Sequence, residues 1–502
     1  VIIPLAEWMP DLPPLANPGA LIADNVIPAA SSYKSFPNQV VAGTGTGLGT
    51  VKGAIYARDS AKNVYNYCGD ASALYRLVGT SFTSATRLVG GAYSVPTDDY
   101  WEFVQWGETV IGVDGSNGDV PQQITLGAAN FAALTGNPPK ARHIAVINNF
   151  VVMGNVSDSV VGVQRVRWSA INNANSWTAD PATLADYQDL LGDGGWIQKI
   201  VGGENGGYVL QERAIWRMTF VGSPLIFQFD KVMVGIGAYA PQSVVAFQGM
   251  VFLLANDGFY MFDGSNISPI GLGKVDQTFF DDLDSNYVYR VVGSIDPTRK
   301  LVLWAYPGSG NSGGNPNKVL VYHYGFKRWS RVTGVGGAGF NLEFILSSIA
   351  AGYTLDGLDA LSTSVDALPY SLDSTFYTGG QLNLSVFNSS HQLATLNGSA
   401  LPATVQTGEV NLIKGKKAYV NEVWPLVEGL SASCQIAVVQ RQILTKSATT
   451  GVAQSPTSAG FCQVRSTSRY HRFQLTTTDG TPFDNLQGVM IPDQCLIDGG
   501  NR

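Results

Sequence analysis

The stretch Trp101-Glu102-Phe103-Val104-Gln105-Trp106-Gly107-Glu108-Thr109-Val110-Ile111-Gly112-Val113 decides the fold. Two runs rich in β-branched and aromatic residues flank a tight polar turn at Gly107, the pattern of a β-hairpin. The pattern recurs. The apolar run 144–147 turns at Asn148-Asn149 into 150–153, and 200–201 turns at 205–207 into 208–210. Residues 244–247 turn at Gly249 into 250–254, and 291–295 turn at Asp296-Pro297-Thr298 into 301–304. A weaker copy turns near Ser60. Antiparallel pairs repeating roughly every 40–60 residues match the spacing of β-propeller blades. A further pair, 381–387 and 392–396, alternates at period two across Asn388-Ser389-Ser390 and supplies a possible seventh copy.

The expectation is therefore an all-β chain: a six- or seven-bladed β-propeller over residues 45–400, an extended N-terminal arm over 1–44 and an additional C-terminal β domain over 401–502. Seven prolines from Pro4 to Pro37 break regular structure in the arm, yet Trp8, Met9, Leu12, Leu15, Leu21, Ile22, Val26 and Ile27 need a surface to cover them. That surface is either the chain's own body or a neighbour. The run 43–47 reads as a flexible close to the arm, and 340–362 as a mixed segment with room for a helical turn. In the last domain, strands are expected at 404–412, 418–427, 435–444, 461–465 and 470–476. The Ser/Thr/Ala-rich stretch 446–459 reads as a long hairpin or mobile loop.

Charged residues are only 14% of the 502, against 57 glycines, a composition suited to strands and turns and unlike a disordered chain. A net charge of −7 argues against a surface built to grip nucleic acid. No apolar stretch reaches the ~18–20 residues of a membrane helix. The opening Val1-Ile2-Ile3-Pro4-Leu5 lacks a signal peptide's basic region, which places the expected site of assembly in a cytoplasm.

Chemistry has little local signature. Cys68, Cys434, Cys462 and Cys495 show no metal or redox spacing and are expected as buried free thiols. His143, His323, His391 and His471 stand apart, without ligand spacing. The glycines at 43–49 lack the Gly-Lys-Ser/Thr ending of a phosphate loop. Residues 281–286 begin like a calcium loop, but Tyr287 and Gly293 stand where its Gly and Glu belong, leaving a solvated acidic turn. No Gly-x-Ser-x-Gly elbow occurs, and Trp168-Ser169-Ala170-Ile171-Asn172 lacks the Asp and Gly of repeated glycosidase turns. No catalytic residue, cofactor or metal ligand is predicted, and the expected protein is not an enzyme. Trp106, Trp216, Trp304 and Trp329 are expected to fill wedges between blades.

Several stretches resemble the tail nozzle, or tail hub, proteins of short-tailed bacteriophages. They are Asn256-Asp257-Gly258-Phe259-Tyr260-Met261-Phe262-Asp263-Gly264, then Lys318-Val319-Leu320-Val321-Tyr322-His323, and Arg465-Ser466-Thr467-Ser468-Arg469-Tyr470-His471-Arg472. Trp8-Met9-Pro10-Asp11, with Asn25-Val26-Ile27-Pro28, and Trp168-Ser169 with Trp177 are also similar. The resemblance implies a homohexameric ring in a virion tail, assembled in the bacterial host cytoplasm. The ring would sit below the portal and the phage adaptor, or head-to-tail connector. It would hold a tail plug or needle, seat tailspikes or tail fibres, and pass viral DNA through its lumen without specific binding. Acidic loops 114–119 and 281–284 are the expected lumen lining. The competing expectation is a carbohydrate-binding or glycoside-cleaving β-propeller.

Overall fold

The computed structural model describes residues 1–45, 48–203, 206–335, 339–349, 364, 382–429, 434–478, 480–493 and 496–498. Over these residues the chain is all-β, with one seven-residue α-helix, Asp276–Asp282, and short 3-10 turns.

Six of the hairpins read from the sequence are the first halves of four-stranded antiparallel meanders. The first sheet runs Ala54–Arg58, Val64–Gly69, Leu74–Val78 and Ser81–Ser84. The second runs Glu102–Trp106, Thr109–Val113, Gln122–Thr125 and Ala132–Ala133. Ala141–Ile147, Phe150–Val156, Arg165–Trp168 and Asp186–Asp189 form the third. The fourth is Ile197–Val201, Gly206–Gln211, Ala214–Gly222 and Ile226–Val234. Val245–Phe247, Met250–Leu254, Phe259–Phe262 and Ile267–Pro269 make the fifth, and Val292–Asp296, Leu301–Tyr306, Lys318–His323 and Arg328–Val332 the sixth.

The turns have a local cause. Asn148 and Asn149 both take positive φ, 43° and 63°, as do Gln248 and Gly249 at 48° and 82°. Two such residues make the primed turn whose twist matches that of the strands it joins.

A seventh sheet is assembled from distant parts of the chain. Leu342–Ile349 pairs with Leu382–Asn388, which pairs with Leu393–Ala400, and Pro37–Gly45 from the N-terminal arm adds the fourth strand. The segment 340–349 is thus strand where a helical turn was expected, and residues 350–362 lie outside the described ones. Gly43 to Gly45 belong to a paired strand as well; the backbone there is held by Leu393 on one side and by Ser81 and Phe82 on the other.

The first strands form a closed cycle. Each lies beside the first strand of the next sheet, with Pro241–Ser243 bridging the fourth to the fifth, and Leu342–Ile349 touches both Val292–Asp296 and Ala54–Arg58. Large side chains fill the angles between sheets. Trp304 and Trp329 are fully buried, with rings 5.7 Å apart, and Phe259 of the fifth sheet packs against both. Trp329 lies on the fourth strand of its sheet, and its Nε1 donates to Ile270 O at 2.9 Å. Trp106 and Trp216 are only partly buried.

The arm is woven into its own chain. Ala20–Asp24 lies between Thr404–Thr407 and Arg328–Val332, extending the sixth sheet into a unit built by the C-terminal strands. Ile2–Pro4 and Tyr33–Ser35 pair with Asn485–Met490. Asn25 (φ 61°) pins the crossing: its Nδ2 donates to Gly334 O and Pro402 O, and its Oδ1 accepts from Thr333 N. Residues 401–498 therefore complete two sheets with strands from the first 35 residues. The stretch 446–459 folds back as a hairpin, with Thr449–Thr450 pairing to Val439 and Gln440.

Candidate functional site

At the centre of the cycle the first strands border an open cavity of about 440 Å³, lined by Val104, Ile144, Val146, Ala246, Glu102 and Lys199. The strands are apolar, so the charged residues on them stand out. Glu102 Oε2 receives Lys199 Nζ at 3.0 Å and contacts His143 Nδ1 at 3.0 Å, while Glu102 Oε1 accepts from Ile144 N. These three residues come from the second, third and fourth sheets, so the cluster straps non-adjacent first strands together.

Burial opposes ionisation of Glu102, but Lys199 and the His143 hydrogen bond outweigh it and hold the carboxyl down to about 2. Burial dominates at His143 and lowers its pKa despite Glu102, so the neutral ring donates from Nδ1. A buried carboxylate held by three donors from two other first strands acts as a structural clamp. The sequence held a signal for it: a charged or polar residue inside the apolar first strand of three consecutive repeats.

The two acidic loops expected to line a lumen commit several of their carboxylates within the fold, although Asp281 is exposed and Asp284 has only neutral partners. Asp114 is buried, its Oδ1 accepts from Asp119 N, and burial foremost pushes its pKa up to about 7. Asp119 is spent on Arg87 at 2.8 Å. Asp282 ends the helix Asp276–Asp282 and holds Lys318 Nζ at 2.6 Å, so 281–284 is not the solvated turn that was expected. Asp284 caps the next 3-10 turn through Asn286 N. Short polar side chains near backbone N–H groups serve the local fold first, and sequence spacing does not reveal that.

The four histidines stay apart. His323 and His471 are buried on separate strands of the sheet that runs from the sixth meander into the C-terminal unit, and His391 pairs with Glu343 at 2.6 Å. Cys68, Cys434 and Cys462 are free and buried; Cys495 lies outside the described residues. Among the described residues no group of three His, Cys, Asp or Glu could hold a metal ion.

Hydrogen bonds define two ends of the cycle. At one end the turns between first and second strands meet, as where Gln105 exchanges bonds with the Arg58 backbone and Asn148 N donates to Gly203 O. At the other end, loops between second and third strands are tied to the connections between sheets. Lys140 donates to Gly118 O, Gln164 to Gly192 O, and Arg213 to Asp193 O. This connection end exposes Leu88, Val89, Val160, Leu191, Trp196 and Leu272, each more than half accessible.

No protein-family model and no curated protein matches the chain. Two solved structures from B. thetaiotaomicron align with 80% of it. One is the extracellular domain of a one-component system (TM-score 0.42, 10% identity), the other that of a hybrid two-component system (TM-score 0.43, 9% identity). The alignments cover 45% and 46% of those chains, so this chain spans less than half their length.

Proposed function

We propose that this chain is a seven-bladed β-propeller serving as a structural ring subunit, the tail nozzle of a short-tailed bacteriophage. The observation that carries the reading is the connection end. A disc whose two chain ends are both locked into one body displays large apolar side chains from several successive connections on a single face, as a subunit with permanent neighbours does. The buried charged clusters are structural ion pairs, and the sequence resemblance supplies the assembly. In that assembly each subunit meets its copies, the adaptor, and the plug, needle, spikes or fibres.

The central strap restricts the route of DNA. A duplex whose major groove alone is about 12 Å wide cannot thread a centre where Lys199 and Glu102 meet at 3.0 Å from non-adjacent sheets. The conduit of a nozzle built from this chain therefore runs between subunits, along the ring axis of the assembly.

Native mass measurement and electron microscopy of the purified chain, alone and with the adaptor, test this reading. A hexameric ring, or rings that form on meeting the adaptor, is the expected outcome. A second reading rests on a polar cavity of about 410 Å³ in the C-terminal unit, where Gln440, Gln454, Gln463, Arg465 and Ser466 converge. A single chain that stays unassembled and retains glycans on an array would favour that carbohydrate-binding alternative.

A further inference from the structure

The connection between the first and second sheets carries the most exposed apolar pair on the connection end: Leu88 and Val89, 84% and 87% accessible. A bare aliphatic tip is ordinarily a loose one. This one is tied down by the residue beside it. Arg87 donates from Nε to Gly91 O (3.1 Å) and from Nη2 to Gly90 O (3.2 Å) and Ala92 O (3.3 Å). It also binds Asp119 at 2.8 Å and lies over the Tyr93 ring at 4.5 Å. Gly90 and Gly91 take φ of 107° and 71°, a left-handed course that other residues rarely follow. Five interactions thus hold a loop whose outward product is two solvent-exposed side chains. Fixing a binding element in advance lowers the entropy lost on association.

The opposite end of the molecule has a complementary feature. Beside the turns of the fourth and fifth sheets, a half-open cleft of about 400 Å³ is lined by Tyr208, Phe247, Gly249 and Met250, with Arg217 and Gln248 on its polar part. Its volume exceeds that of a leucine and a valine side chain together, and the Met250 thioether adapts to the shape of what enters. The tip and the cleft lie on opposite ends, so one molecule cannot satisfy its own pair. A knob on one surface and a hole on another make a heterologous contact, which propagates head to tail and closes into a ring when the rotation permits.

We infer that Leu88 and Val89 insert into the cleft between the fourth and fifth sheets of a second copy of this chain, and that this contact joins neighbouring subunits. The inference rests on the ring reading above and names the surfaces that build the ring. Two variants test it by native mass and cross-linking. Leu88→Asp combined with Val89→Asp, at exposed positions, should leave the melting temperature unchanged and shift the mass from the ring to the single chain. Val89→Cys combined with Met250→Cys should give a ladder of disulfide-linked chains under mild oxidation. A double Asp variant that assembles like the parent, or a cysteine pair that never links chains, overturns the inference while the ring reading stands. A parent chain that remains single at every concentration overturns both.

Discussion

Trp329 shows how one side chain joins two sheets. Its ring is fully buried against Phe259 and Trp304, and its indole N–H is spent on Ile270 O of the fifth sheet. Trp329→Ala removes both packing and hydrogen bond and should cost about 3–5 kcal/mol, seen as a large drop in urea midpoint. A variant melting within a degree or two of the parent would mean the ring does not hold the sheets together. Asp114 gives a test of opposite character. Its pKa rises to about 7 when folded, against 3.8 ordinarily, with burial the first cause. The folded chain thus keeps a proton that the unfolded chain releases between about pH 4 and 7, so this group's contribution to stability falls as pH rises through that window. Asp114→Asn keeps the Oδ1 acceptor for Asp119 N and has no charge to bury. Relative to the parent, it should be more stable at pH 8 than at pH 4. Equal differences at the two pH values would show that Asp114 ionises freely in the folded chain.

Among the elements, the strands of the arm matter most. Among the described residues Ala20–Asp24 is the only link by strand pairing between Thr404–Thr407 and the sixth sheet, and Arg331 grips Asp24 at 2.9 Å across that seam. Arg328 reaches the same segment, donating to Ala29 O and Ala6 O while lying over the Tyr33 ring. A strand removed from the middle of a sheet leaves two unpaired edges and an uncovered core. A fragment of residues 401–502 should therefore show poor NMR dispersion alone and gain dispersed resonances when a 1–45 peptide is added. A fragment that folds fully by itself would show that the arm is decoration on a self-sufficient unit.

At the scale of the whole molecule, the charges are few. Asp119 and Asp282 are paired with Arg87 and Lys318, while Asp281 is exposed and Asp284 keeps its charge, so repulsion of DNA rests on such residual acids and on the small net charge of −7. The assembled protein should show no measurable affinity for duplex DNA even at low salt, where phosphate contacts are strongest. Tight, salt-sensitive retention in a filter or mobility assay would rule out the conduit reading. Periodicity made six of the first-strand hairpins legible, because the alternation and the turn residues that create a hairpin lie within a dozen consecutive positions. The free thiols at Cys68, Cys434 and Cys462 were legible for a similar reason, from spacing alone. The seventh sheet was only half legible: its hairpin shows at 382–396, but its outer strand, Pro37–Gly45, lies more than 300 residues away in sequence. Of the Glu102–His143–Lys199 strap only the presence of a charged or polar residue inside each apolar first strand was legible; that the three meet, and that Asp114, Asp119 and Asp282 are committed within the fold, was not. Their partners meet only when separate sheets close into a cycle, and the electrostatic energy that makes such groups clamps depends on that proximity and burial, which tertiary structure alone decides.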